Sequence, residues 1–272
     1  MTDFFDMERF GRLLRAHWAE SWREYAWFAG VLVVLDLIAM LLSFSLDYRS
    51  AFSQFQYQGQ MGWYMSGLAV SAIIFAGRYF KYLLNPGASL IALMRPASVF
   101  EKWLMAFLVI SIFYPLAYTL LYVILNYPAV LLAKALAAQV PVCQYCTVDF
   151  HFYFPFLTED VSEAGVRNAA RIMRLQLFFF LLLSCGQALI AGGTAFFKRS
   201  PVLRTVLGSF LLFIISSWIG NTPQAGIFAP YYGKEIIVYS PMEYGLSIGM
   251  WLGLPLLLWA ALFFHIKERE VA

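Results

Sequence analysis

The sequence predicts an all-α integral membrane protein: six transmembrane helices after an N-terminal interfacial amphipathic helix, with both termini cytoplasmic. Three observations predict it. Hydrophobic residues make up 61% of the 272-residue chain and charged residues 13%, and mean hydropathy is +0.69, which excludes an ordinary soluble domain. Six apolar stretches approach the ~20 residues that a helix needs to cross hydrocarbon while satisfying its own backbone. Lastly, the basic residues are lopsided. With the N-terminus inside, thirteen of the 19 Lys and Arg fall on the cytoplasmic side, as the positive-inside rule requires. The Arg167, Arg171, Arg174 group runs against this bias, in the longest loop, where the rule loses force.

Residues 4–23 read as a helix lying on the membrane surface. Met7, Phe10, Leu14 and Trp18 recur at helical spacing on one face, and Glu8, Arg9, Arg12, Arg15, Glu20 and Arg23 cover the other, the pattern of an interfacial amphipathic helix. Acids at Asp3 and Asp6, with no apolar run before Ala26, give no sign of a cleavable signal peptide. The spans follow at Ala26–Phe44, Met61–Gly77, Trp103–Leu125, Leu175–Phe197, Thr205–Asn221 and Gly245–His265. They and their connections use nearly all of the chain, leaving room for one membrane domain and no separate catalytic one.

Between the second and third spans lies the one sizeable internal hairpin, 85–102. Asn85-Pro86 suits a helix start, with Pro at the first position, where its missing N–H costs nothing. Leu90, Ile91, Leu93 and Met94 are apolar residues that need burial against a partner or the bilayer surface. Pro96 breaks that short helix, and Ser98-x-x-Glu101 reads as a capping box for the third span. The outer segment 126–174 is long: Asn126-Tyr127-Pro128 ends or kinks the third helix, Ala129–Val140 reads as a stretch that can continue along the outer membrane surface, and 143–156 is aromatic and irregular. Residues 159–174 then read as an amphipathic helix entering the fourth span. The outer loop 222–244 is too apolar to float free and reads as re-entrant.

Two features invite chemistry. Asp36 lies mid-way along the first span, where a carboxylate costs ~2.5–3.5 kcal/mol on insertion scales and must face the interior or a partner. It reads either as a translocation-path or subunit-interface residue, or as a packing residue hydrogen-bonded to Gln187 or a Ser. Cys143 and Cys146, on the outer side, pair most economically as a disulfide; with His151 they give three ligands and no second half-site for a metal. Cys185 reads as a small packing residue. No His-Glu-x-x-His, Gly-x-Ser-x-Gly or paired membrane aspartates occur, nor a Gly-x-x-x-x-Gly-Lys-Ser/Thr loop. The expectation is a chain that is no enzyme by itself, with no cofactor or metal of its own and no nucleic-acid partner.

The string Arg95-Pro96-Ala97-Ser98-Val99-Phe100-Glu101-Lys102-Trp103 is similar to the Pro-Ala-Ser-x-x-Glu-Lys segment of bacterial ABC-2 permeases. The element order also resembles that family: an elbow helix, six spans with both ends inside, a helical loop between spans two and three, and a re-entrant-looking loop before the sixth. The resemblance implies a half-transporter in a bacterial inner membrane. Two copies would form a pore, two copies of an ATPase would supply ATP and Mg2+, and a coupling element at 85–102 would carry Leu90, Ile91, Leu93, Met94, Arg95, Pro96, Ala97, Ser98, Glu101 and Lys102. The long 126–174 segment departs from the family pattern. The competing reading is a membrane scaffold or assembly factor whose apolar loops bind other membrane proteins.

Overall fold

The computed structural model describes residues 5–46, 52–80, 97–137, 150–155, 163–196, 204, 207–208 and 241–271. Among these the chain is 92% helical with no strand, so the class is all-α. In chain order the helices are α1 (Met7–Leu46), α2 (Tyr57–Tyr79), α3 (Val99–Leu108), α4 (Tyr114–Ala137), α5 (Glu163–Phe196) and α6 (Pro241–Val271). A 3-10 turn, Ser53–Phe55, precedes α2, and a π-helical segment, Val109–Phe113, joins α3 to α4. Among the described residues two runs are long and apolar enough to cross a membrane, Met7–Ser45 and Val99–Ala137, and Phe179–Gly193 within α5 is a shorter apolar helix. The expected spans 61–77 and 245–265 lie inside α2 and α6, and 175–196 inside α5. Most of the fifth span and the loop 222–240 lie outside the described residues.

The chain divides into two compact units, each assembled from separate stretches. The first comprises Asp6–Ser71 and Ile112–Val161. Here α1 begins at Asp6, whose carboxylate accepts from the backbone N–H of Glu8 at 2.8 Å and of Arg9 at 3.4 Å, satisfying groups that a helix start otherwise leaves orphaned. The expected separation between a surface helix and the first span is not marked by any break: α1 is one helix of 40 residues. Residues 19–27 contain no Gly or Pro, so the composition changes along the helix while the backbone ladder runs on. Leu13 is buried, whereas Met7, Trp18 and Trp22 are exposed.

Further along α1, a stripe at Ala29, Leu32, Val33, Asp36, Ala39, Met40 and Ser43 turns inward. Val31, Val34, Leu35, Leu37, Ile38, Leu41 and Leu42 are bare, and just 6% of the apolar window is buried. Among the described residues these side chains form one continuous exposed apolar face along α1. At the end of α1, Met40 packs in a cluster with Phe52, Phe55, Ala129, Val130, Ala133 and Ala137, and Phe44 stacks on Phe55 at 4.5 Å. Phe52 takes a left-handed backbone with φ of 56°, which costs a non-glycine residue about 1–2 kcal/mol; burial of its ring offsets this. The same cluster explains why the third expected span does not stop at Leu125. Helix α4 runs through Pro128 to Ala137. Proline removes one backbone donor, but Ala129, Val130, Ala133 and Ala137 gain burial by keeping the helix intact.

The second unit comprises Met1–Phe5, Ala72–Ser111 and Ser162–Ala272. Helices α5 and α6 pack along each other, and α3 packs on α6. Its buried residues include Phe75, Ala76 and Phe80, Met105, Ala106, Val109 and Ile110, Leu183, Cys185, Ala188, Ile190 and Ala191 on α5, and Trp259, Leu262 and Ile266 on α6. Cys185 is a free, buried thiol. Helix α5 starts at Glu163, within the stretch read as amphipathic, and runs unbroken into the fourth span.

Candidate functional site

The first candidate is the start of α3. Ser98 has extended backbone, its hydroxyl accepts from the Glu101 N–H at 3.2 Å, and Glu101 accepts from the Ser98 N–H at 2.9 Å. Both halves of the capping box are made, and Glu101 is 0% exposed. A carboxylate this deep is tolerated where backbone donors hold it. The turn after the cap carries Phe100, Trp103 and Phe107. Trp103 stacks near-parallel on Phe107 at 5.8 Å, donates its indole N–H to the Trp259 carbonyl at 2.8 Å, and meets Phe263 edge-on at 6.0 Å. Phe107 meets Trp259 edge-on at 5.2 Å, and Phe5 sits edge-on to Phe100 at 6.1 Å. An aromatic ladder thus clamps the start of α3 to α6. Of the residues expected to couple, Ala97, Ser98, Glu101 and Lys102 lie at this joint, while Leu90, Ile91, Leu93, Met94, Arg95 and Pro96 lie outside the described residues.

Deeper along the same helix, the π segment Val109–Phe113 begins. Such segments misalign the backbone ladder and recur at functional sites. Gln187 of α5, 1% exposed, donates its amide to the Ile110 carbonyl at 3.0 Å.

The second candidate surrounds Asp36 in the other unit. The sequence offered Gln187 or a serine as its partner; the structure instead has the Trp63 indole N–H donating to Asp36 Oδ1 at 2.8 Å. Gln187 donates to the Ile110 carbonyl, in the other unit. Beside Trp63, the Tyr64 hydroxyl pairs with Thr119 at 2.8 Å. The Tyr64 ring touches those of Tyr118, Tyr122 and Tyr153. Gly67 faces the Tyr118 hydroxyl so closely that a Cβ there would collide with it.

Gln60, one turn before Tyr64, is a hub. Its amide donates to the carbonyls of Phe55 at 2.7 Å and His151 at 2.9 Å, and accepts from the Tyr153 N–H at 2.9 Å. Asn126 donates to the Tyr122 hydroxyl at 2.9 Å and reaches Gln60 at 3.4 Å. The segment 150–155, irregular in the structure, is thereby held against α2 and α4. Sequence reasoning missed this hub. A signal was present: Tyr114, Tyr118, Tyr122 and Asn126 recur every fourth residue, one polar stripe along an otherwise apolar helix. Cys143 and Cys146 lie outside the described residues. Among the described residues no group of three His, Cys, Asp or Glu side chains comes together to hold a metal.

Comparison with protein-family models, curated proteins and solved structures returns no match to the chain.

Proposed function

We propose that the chain is the transmembrane permease subunit of an ABC-2-type ABC transporter. In this reading it is embedded in a bacterial inner membrane with both termini cytoplasmic, and it exports a lipophilic or amphiphilic cargo. A second copy completes the pore, and a separate ATPase, in two copies, binds ATP and Mg2+ and docks on residues 85–102. The observation that carries the reading is the joint at Ser98–Glu101. Work done on a cytoplasmic loop reaches the bilayer only through a stiff connection. Here the loop ends in a reciprocal cap, and the next two turns are wedged against α6 by Trp103 and Phe107. A frayed start would absorb the displacement; a capped and clamped one passes it to α3 and α6 together.

Membrane embedding draws support from the two long apolar helices and from the bare apolar face of α1. The transport assignment draws support from the resemblance of Arg95–Trp103 to the family segment and from the six-span pattern of the sequence. Purification of the native complex in mild detergent, with identification of its subunits, tests it. A stoichiometric P-loop ATPase is expected, whose ATP turnover responds to cargo and loses that response in Glu101→Ala or Leu90→Glu. An assembly without such an ATPase overturns the proposal and favours the scaffold reading. An ATPase whose coupling survives both substitutions overturns the role of 85–102.

A further inference from the structure

Helix α1 carries two exposed chemistries in line on one face. Arg12, Arg23, Gly30, Val34, Leu37 and Leu41 are all exposed. They follow one another in steps of 11, 7, 4, 3 and 4 residues, spacings that keep side chains aligned along a helix. Because α1 is unbroken from Met7 to Leu46, the cationic and aliphatic stretches share that face. Indoles mark the boundary between them: Trp18 is 64% exposed, Trp22 49% and Trp27 77%. The Arg23 guanidinium lies 5.7 Å from the Trp22 ring centroid. Arg12 meets Glu8 at 3.9 Å across an exposed pair, which is worth little in water. Arg15, exposed one turn after Arg12, and Arg23 form no ion pair among the described residues. Glu20 and Glu24 stand on the flank of this face, and neither pairs with Arg23.

Cation, indole and aliphatic side chains in that order repeat the order of phosphate, glycerol and acyl chain through one leaflet of a bilayer. The distances agree. The hydrocarbon of one leaflet, about 15 Å deep, reaches from Trp27 to Leu37 at 1.5 Å per residue. Arg23 stands one turn further out, roughly 6 Å along the axis, at headgroup depth. A second copy of the chain fits this face poorly. A parallel two-fold pair sets each patch against itself, which brings the Arg12, Arg15 and Arg23 rows into like-charge contact. Cations without a carboxylate partner favour a lipid of net negative charge over a zwitterionic one, whose own ammonium cancels the gain. We propose that this face of α1 holds an anionic phospholipid, its headgroup charge on Arg23 with Arg15 adding to the pull, and its acyl chains along Gly30, Val34 and Leu37. The proposal rests on the membrane embedding proposed above and names the lipid class that the embedded helix takes; it is independent of the transport assignment.

Thermal unfolding of the full-length protein in dodecyl maltoside, titrated with dioleoyl phosphatidylglycerol or dioleoyl phosphatidylcholine, tests it. Phosphatidylglycerol is expected to raise the midpoint saturably, with about tenfold higher apparent affinity than phosphatidylcholine. Arg15→Gln combined with Arg23→Gln should abolish that preference, while Arg15→Lys combined with Arg23→Lys should keep it within about threefold of the parent. Should the double Gln variant not fold, Arg23→Gln alone decides, with an expected loss of about fivefold. Equal response to the two lipids, or a preference untouched by the Gln substitutions, overturns the site. Copper-phenanthroline oxidation of Leu37→Cys, in a chain carrying Cys143→Ser, Cys146→Ser and Cys185→Ser, should give no disulfide-linked dimer in membranes. Efficient cross-linking there assigns the face to a second copy instead. Release of the protein from membranes by alkaline carbonate would overturn embedding itself, an outcome distinct from an embedded protein that ignores headgroup charge.

Discussion

Gln187 and Ile110 lie 77 positions apart in the chain, yet the glutamine amide donates to the isoleucine carbonyl at 3.0 Å. That bond ties α5 to the point where α3 gives way to a π segment. A ladder that slips by one residue leaves carbonyls mispaired, and in apolar surroundings an unpaired carbonyl is costly. Gln187 is buried for that reason.

Replacing Gln187 with Leu keeps the volume and removes the donor. The Ile110 carbonyl is then stranded, and stability should fall by about 1–3 kcal/mol. Thermal unfolding in detergent should show a clearly lower midpoint. An unchanged midpoint would mean that the π segment satisfies its own carbonyls.

Cap removal at α3 should act locally. Ser98→Ala deletes the acceptor for the Glu101 N–H and should cost about 1 kcal/mol. Amide hydrogen exchange over residues 98–103 should accelerate roughly fivefold while exchange in α4 stays constant. Ser98→Asp, which caps equally well, should restore protection; if it does not, the serine acts through something other than its cap.

Gln60→Leu strands two carbonyls and one N–H at once. Each buried, unsatisfied group costs about 1–3 kcal/mol, and the segment 150–155 loses its tether. Labelling of Phe152→Cys by a membrane-impermeant maleimide should rise sharply in the Gln60→Leu background. Equal labelling in both backgrounds would show that Tyr122 and the Phe52–Phe55 cluster hold the segment unaided.

Gly67→Ala should be disproportionately harmful for so small a change. The added methyl meets the Tyr118 hydroxyl, and overpacking of this kind costs about 1–3 kcal/mol. In the double variant with Tyr118→Phe the penalty should fall by at least half, read from the unfolding midpoints of the four proteins. Additive losses would place the strain elsewhere.

The parts of the fold legible in the sequence are those that depend on near neighbours. The cap at Ser98 and Glu101 was readable because both partners lie within one turn, and the helices were readable because runs such as 31–42 hold apolar residues without a breaker. Two boundaries were not. Helix α1 shows no break near residue 24, since a change of composition does not interrupt backbone hydrogen bonds, and α4 carries Pro128 because the packing of Ala129–Ala137 against Phe52 and Phe55 outweighs one lost donor.

The candidate sites divide along the same line. By its own chemistry the chain determined that an acid would stand at Asp36 inside an apolar helix and that α3 would begin at a cap. What Asp36 meets was decided by tertiary structure, because Trp63 competes for it with every other donor that packing brings near, and their approach depends on how α1 and α2 come together. Gln60 and Gln187 carry the same lesson: a buried amide is uninformative in the sequence until distant backbone groups converge on it, and its value then lies in the number of polar atoms it keeps from being stranded.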